Sequence, residues 1–170
     1  MTLFGAPASV GAEVRRERDG EGANDSFTIR LHFYTGFSAT LSANLLSSLA
    51  RPRFHLRGIK GNYWKWGLDP QEDALNKITH IDTPTWGHEP ATNWGTISIG
   101  ADHDLMTRQV ESVPGDYRLF YQGVRDALQG NAKPPVEAID AWRTARVLEW
   151  AAESAKTHCD IQCDWSMEPE

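Results

Sequence analysis

From residue 27 to residue 34 apolar and polar side chains alternate without a break: Phe27, Ile29, Leu31 and Phe33 against Thr28, Arg30, His32 and Tyr34. A period of two is the signature of a β-strand with one buried and one polar face. The segment Ala8 to Arg16 before it, reached through the polar, glycine-bearing loop Arg18 to Asp25, predicts a second strand. Phe37 to Leu46 after it, with Ala39, Leu41, Ala43 and Leu45 inward, predicts a third, and together they form an antiparallel meander. Arg53 to Ile59 and Asn62 to Trp66 read as a strand pair around Lys60-Gly61. Thr96 to Ala101 and Leu105 to Ser112 read as another, turning through Asp102-His103-Asp104. Between these pairs, Gly67 to Gly95 is mostly irregular, with Pro70, Pro84 and Pro90, and a loop of that length is usually functional or mobile.

The period then changes. Asp116 is a good N-cap, and Tyr117, Phe120, Tyr121, Val124 and Leu128 fall on one helical stripe that Gly130 ends. A second helix starts after Pro134-Pro135 and carries Ala138, Trp142, Ala145, Leu148, Ala152 and Ala155 on its inward side; about 20 residues make it roughly 30 Å long. Strands followed by helices, and not alternating with them, predict the α+β class: an open, mostly antiparallel sheet with two C-terminal helices packed on one face. Residues 1 to 157 form this domain. The tail His158 to Glu170 is acidic and expected to be poorly packed despite Ile161 and Trp165. At the other end, Leu3-Phe4-Gly5-Ala6-Pro7 has the form of a helix C-terminus with Gly5 as its left-handed cap, which predicts that the helix itself lies upstream.

Composition narrows the classes. With 17 basic and 23 acidic residues, net -6, there is no basic face for a nucleic-acid backbone. No apolar run approaches a membrane span and the opening residues lack the pattern of a signal peptide, so a cytoplasmic location is expected. Cys159 and Cys163, the only cysteines, suit no disulfide framework and fall short of a zinc site. His80, Asp82, His88, Asp102, His103 and Asp104 lie in irregular segments without metal-ligand spacing, and no metal site is assigned.

No glycine-rich dinucleotide turn, phosphate loop or nucleophile elbow occurs. Gly58-Ile59-Lys60-Gly61 joins two strands and therefore reads as a hairpin turn. The richest segment is Lys60 to Asp73, which brings two tryptophans, a tyrosine, a lysine and several carboxylates and amides to a strand end. Tyr63, Lys65, Asp69, Gln71 and Glu72 are accordingly the candidates for ligand contact, since aromatic faces pack on sugar rings while polar groups bond their hydroxyls. The same residues also describe a strand with one face in the core followed by a capped turn, and the tryptophans favour that reading.

Lys60-Gly61-Asn62-Tyr63-Trp64-Lys65-Trp66-Gly67-Leu68-Asp69-Pro70-Gln71-Glu72, then Val113-Pro114-Gly115-Asp116-Tyr117, Tyr121, Val124-Arg125-Asp126-Ala127-Leu128, Gly130, Pro134-Pro135 and Glu153-Ser154-Ala155 follow in the order seen in Gfo/Idh/MocA oxidoreductases. The chain resembles the C-terminal domain of that family, nearest to the subgroup of NADP-linked scyllo-inositol dehydrogenases. The resemblance implies a parent with an N-terminal Rossmann domain, absent here, that binds NADP or NAD and carries the catalytic groups. No catalytic or cofactor-binding residue is assigned to this chain. It further implies a sugar or polyol substrate and a homo-oligomer formed through the sheet face bearing Thr28, Arg30, His32, Tyr34, Thr40, Ser42, Asn44, His55 and Arg57. A free-standing dimerisation or ligand-binding module without catalysis is the alternative.

Overall fold

The computed structural model describes residues 3–77, 81, 83–100 and 104–169. Its elements are β1 (Ser9–Arg15), β2 (Ser26–His32), β3 (Ser38–Asn44), β4 (Phe54–Gly58), β5 (Gly61–Lys65), α1 (Pro70–Asn76), β6 (Gly95–Ile99), β7 (Met106–Val110), α2 (Tyr117–Leu128), α3 (Ala138–Thr157) and β8 (Ile161–Gln162). The class is α+β, as expected. The strands are divided between two four-stranded antiparallel sheets, ordered β3-β2-β1-β8 and β4-β5-β6-β7. They belong to two compact units: Met1–Ser48 with Pro134–Glu170, and Leu49–Lys133.

In the first unit the period-two pattern fixes the register, because a slip of one residue would turn every apolar side chain outward. Val10 faces Leu31, Ala12 faces Ile29 and Val14 faces Phe27. Ile29 in turn faces Leu41, and Leu31 faces Ala39. Helix α3 covers part of this apolar face, burying Val10, Trp150, Ala151 and Cys163 with Ala12, Ile29, Leu31, Val147, Ile161 and Trp165 packed around them. The opposite face carries Thr28, Arg30, His32, Thr40, Ser42 and Asn44, as the alternation predicts. His55 and Arg57 do not share it; they lie in β4, in the other sheet.

The phase of α3 departs from expectation. Ala138, Ala145, Leu148 and Ala152 are exposed, and the buried side is Val147, Trp150, Ala151 and Ser154. An alanine-rich helix offers more than one apolar stripe. The one used here includes a serine because Ser154 Oγ accepts a hydrogen bond from Ala12 N at 2.8 Å, serving a β1 amide beyond the reach of β8.

The C-terminal segment is ordered against β1 and is not the loosely packed tail the sequence suggested. His158, with φ 56°, takes the left-handed conformation at the end of α3 and turns the chain back. Ile161 then pairs with Val10 along the edge of β1, and Cys163 N donates to Ala8 O at 2.9 Å. Trp165 Nε1 donates to Pro7 O at 3.0 Å while its ring stands edge-on to Trp150 and Trp142. Arg143 pairs with Glu168. Burial pushes the Cys163 thiol up to about 11, whereas Cys159 is exposed. At the N-terminal side Gly5 has φ 77°, as its predicted capping conformation requires. Phe4 packs with Phe33 and Phe37.

The second unit is arranged around β4-β5-β6-β7, with Tyr63 facing Leu56 on one side and Ile97 on the other. Its buried side chains include Trp86, Gln71 and Ser98, so hydrogen bonds organise its interior as much as apolar contact does. Helix α2 begins at Asp116, whose carboxylate accepts from Arg118 N, and its stripe of Tyr117, Phe120, Tyr121 and Leu128 stays exposed. Among the described residues no helix is long and apolar enough to cross a membrane.

Candidate functional site

The five candidate residues all lie in the second unit, on β5 and at the start of α1. Helix α1 falls within the segment expected to be irregular, and its origin is local: Asp69 caps it by accepting from Gln71 N at 2.8 Å, and Pro70 occupies the first turn, where no amide is needed. The start of this helix brings Asp69, Gln71 and Glu72 close to the end of β5.

The structure gives them different situations. Tyr63 is half-buried and Glu72 is exposed. Lys65 is largely buried, and its ammonium donates to Glu89 Oε2 at 2.6 Å, to Asn93 O at 3.0 Å and to Trp66 O at 3.2 Å. Three donors thereby meet three acceptors. Ser112 Oγ donates to the same Glu89 oxygen at 2.7 Å, so the pair joins β5, the loop before β6 and the residues after β7.

Gln71, 1 % exposed, is a second junction. Its Nε2 donates to both carboxylate oxygens of Asp69 at 3.0 Å. Its Oε1 accepts from Trp86 Nε1 at 2.7 Å and from Tyr117 N at 2.8 Å. Gly115 lets these segments meet: a Cβ there would overlap the Asp69 carboxylate and crowd Gln71 Nε2, and Gly87 packs on the Gly115 carbonyl just as closely. Next to this junction the Arg118 guanidinium bonds the Asp116 carboxylate and holds its pKa below the ordinary value; burial opposes the shift. Arg118 also donates to Ile81 O at 2.7 Å.

Trp86, Glu89, Asn93, Ser112 and Gly115, which lie in loops or at strand ends, also belong to this assembly. Only the Asp69-Pro70 capping signal for α1 was available in advance, since the partners lie 15 to 46 residues apart. Of the histidine and aspartate residues considered as metal ligands, His88 and Asp104 are exposed, and His80, Asp82, Asp102 and His103 lie outside the described residues. Among the described residues no group of three or more His, Cys, Asp or Glu is placed to hold a metal.

Pyrophosphate is commonly held by backbone amides at a helix N-terminus; among the described residues the opening amides of α1 and α2 are met instead by the carboxylates of Asp69 and Asp116. Gly58 and Gly61 face each other across the β4-β5 hairpin and open onto no helix. The assembly is cross-linked by hydrogen bonds and leaves the side chains of Glu72, Trp66 and Tyr117 exposed.

Comparison with known proteins identifies the domain. Residues 1–162 match the family described as the oxidoreductase family, C-terminal alpha/beta domain. The uncharacterized oxidoreductase YdgJ of Escherichia coli (strain K12) is 31 % identical over 156 residues, covering 92 % of this chain and 44 % of its own length. The scyllo-inositol 2-dehydrogenase (NADP(+)) IolW of Bacillus subtilis (strain 168) is 29 % identical over 156 residues, 92 % of this chain and 43 % of its own. The structure of Bacillus subtilis YvaA superposes with a TM-score of 0.89 at 28 % identity, over 95 % of this chain and 47 % of that one. The chain thus spans less than half the length of these relatives. A match reaching across nearly all of its residues, sustained in both sequence and fold, makes it a member of the Gfo/Idh/MocA oxidoreductase family, corresponding to that family's C-terminal domain.

Proposed function

We propose that this chain is the substrate-side and oligomerisation domain of a cytoplasmic NAD(P)-dependent oxidoreductase that acts on a sugar or polyol. The observation that supports the reading is the similarity to IolW across 92 % of the chain, together with an internally bonded polar assembly built on Lys65 and Gln71. In the complete enzyme the cofactor supplies the hydride and a separate nucleotide-binding half holds it, while this domain orients the polyol. Of the candidates, Tyr63, Asp69 and Glu72 would face the substrate, and Lys65 and Gln71 would brace them from within. The polar face of β1, β2 and β3 is the proposed subunit contact, since such faces need not be apolar as a whole.

The test has two parts. The isolated chain is titrated with NADPH by fluorescence, and tight binding would overturn the division of labour. The coding sequence is read upstream in frame, and the full-length product is assayed with NADP or NAD against a panel of polyols and sugars. Turnover of a polyol supports the reading; a complete enzyme indifferent to the whole panel refutes the substrate class. Sedimentation of the isolated chain addresses the subunit contact, against which a monomer at high concentration would count.

A further inference from the structure

We propose that Gln71 is a positioning residue for substrate, acting through Tyr117, whose exposed phenol makes the contact. The inference rests on the substrate-side reading above and names the residue pair through which that assembly works.

Gln71 is buried and committed to its neighbours. Both acceptor positions of its carbonyl are taken, by Trp86 and Tyr117, and its Nε2 donates to the Asp69 carboxylate. Neither a carboxylate nor an apolar side chain of the same length offers that combination, so the position demands an amide for what it holds in place. What it holds is the start of α2. The first four amides of a helix lack partners within the helix; Asp116 serves that of Arg118, and Gln71 reaches across from α1 to serve that of Tyr117. The direction in which α2 leaves β7 is therefore set from outside the helix. The Lys65-Glu89-Ser112 link fixes the approach to the same junction.

Tyr117 differs from the buried members of this junction in having a free surface. It is 41 % exposed, while its backbone is pinned at the amide. A tyrosine offers a ring face for the C-H side of a polyol ring and a hydroxyl for one of its oxygens. Pinning the backbone reduces what must be ordered on binding, which is where preorganisation raises affinity.

The experiment uses the full-length enzyme, with this chain alone as the structural control. In the enzyme, Gln71→Met and Tyr117→Phe should each raise KM for the polyol about tenfold, the effect of one lost hydrogen bond, with kcat little changed. The double variant should be no worse than either single one, because both remove the same contact. Gln71→Glu sets two carboxylates against each other and should raise KM at least as much. Asp69→Asn combined with Gln71→Glu exchanges amide and carboxylate between the two positions and should restore KM to near the original value. In the isolated chain, amide exchange at Tyr117 should rise in Gln71→Met while that at Ala12, protected by Ser154, stays unchanged.

Multiplying effects in the double variant, or a normal KM in Gln71→Met despite an unprotected Tyr117 amide, overturn the inference and leave the proposed function standing. If the unmodified enzyme turns over no polyol, the functional reading fails and this one fails with it.

Discussion

Trp165 decides whether the C-terminal segment is part of the fold or an appendage. It is half-buried, its ring lies 4.8 Å from that of Trp150 and 6.3 Å from that of Trp142, and its indole donates to Pro7 O at 3.0 Å. Replacement by phenylalanine keeps most of the ring packing and removes the hydrogen bond, which should cost about 1 kcal/mol. Replacement by alanine also removes the aromatic edges. A fully buried tryptophan truncated to alanine costs about 3–5 kcal/mol, and partial exposure reduces this to roughly 2–3 kcal/mol, a fall in Tm of about 5–10 °C for a chain of this size. Urea unfolding followed by far-UV circular dichroism is the suitable assay, because deleting a tryptophan alters fluorescence directly. The expected order of midpoints is wild type, Trp165→Phe, Trp165→Ala. If Trp165→Ala unfolds at the wild-type midpoint, the segment contributes nothing to unit stability and the packing argument is wrong.

Four further outcomes are expected. Ser154→Ala strands the Ala12 amide of β1 and should cost about 1–3 kcal/mol in urea unfolding. Lys65→Met leaves the largely buried Glu89 carboxylate with Ser112 as its remaining side-chain partner and should cost about 3–5 kcal/mol, most of it recovered when Glu89→Gln is added. Asp25 accepts from Glu17 N and from the Arg18 backbone and guanidinium, which lower its pKa from 3.8 to about 2. Its stabilising contribution is complete above about pH 4 and is lost as the pH falls through 2, so Asp25→Asn should flatten the acid limb of a stability profile over that range. His158→Gly relieves a left-handed residue at the end of α3 and should raise Tm, by the equivalent of about 1 kcal/mol.

The legible parts of the fold were those in which one segment carries its own signal. The alternation through Phe27, Ile29, Leu31 and Phe33 placed β2 and its faces correctly, and Asp116 with Gly130 bracketed α2. Where the signal depended on a distant partner it failed. Spacing alone favoured an alanine stripe on α3, but Ser154 is buried because an amide on β1 needs it, a requirement lodged 142 residues away. The two residues of β8 are too few to show a period, and they are strand only because the β1 edge is available. Among the candidate side chains, Lys65 and Gln71 were singled out for their polarity. The structure accounts for that polarity through Glu89, Asn93, Trp86 and Tyr117, none of them visible as partners in the sequence.

Pairing of Val10 with Ile161 has a consequence for synthesis. The unit built on β1 takes its strands from residues before Ser48 and its covering helix from residues after Pro134, whereas Leu49–Lys133 is continuous. On a ribosome adding about 5–20 residues per second, the interval between Ser48 and Pro134 is roughly 4–17 seconds. Throughout it the outer edge of β1 and the apolar side of its sheet have neither β8 nor α3 to cover them. The inserted unit emerges whole meanwhile. Leu49–Lys133 is therefore complete before the unit built on β1, and the period of greatest exposure to aggregation and chaperone capture falls on β1, β2 and β3.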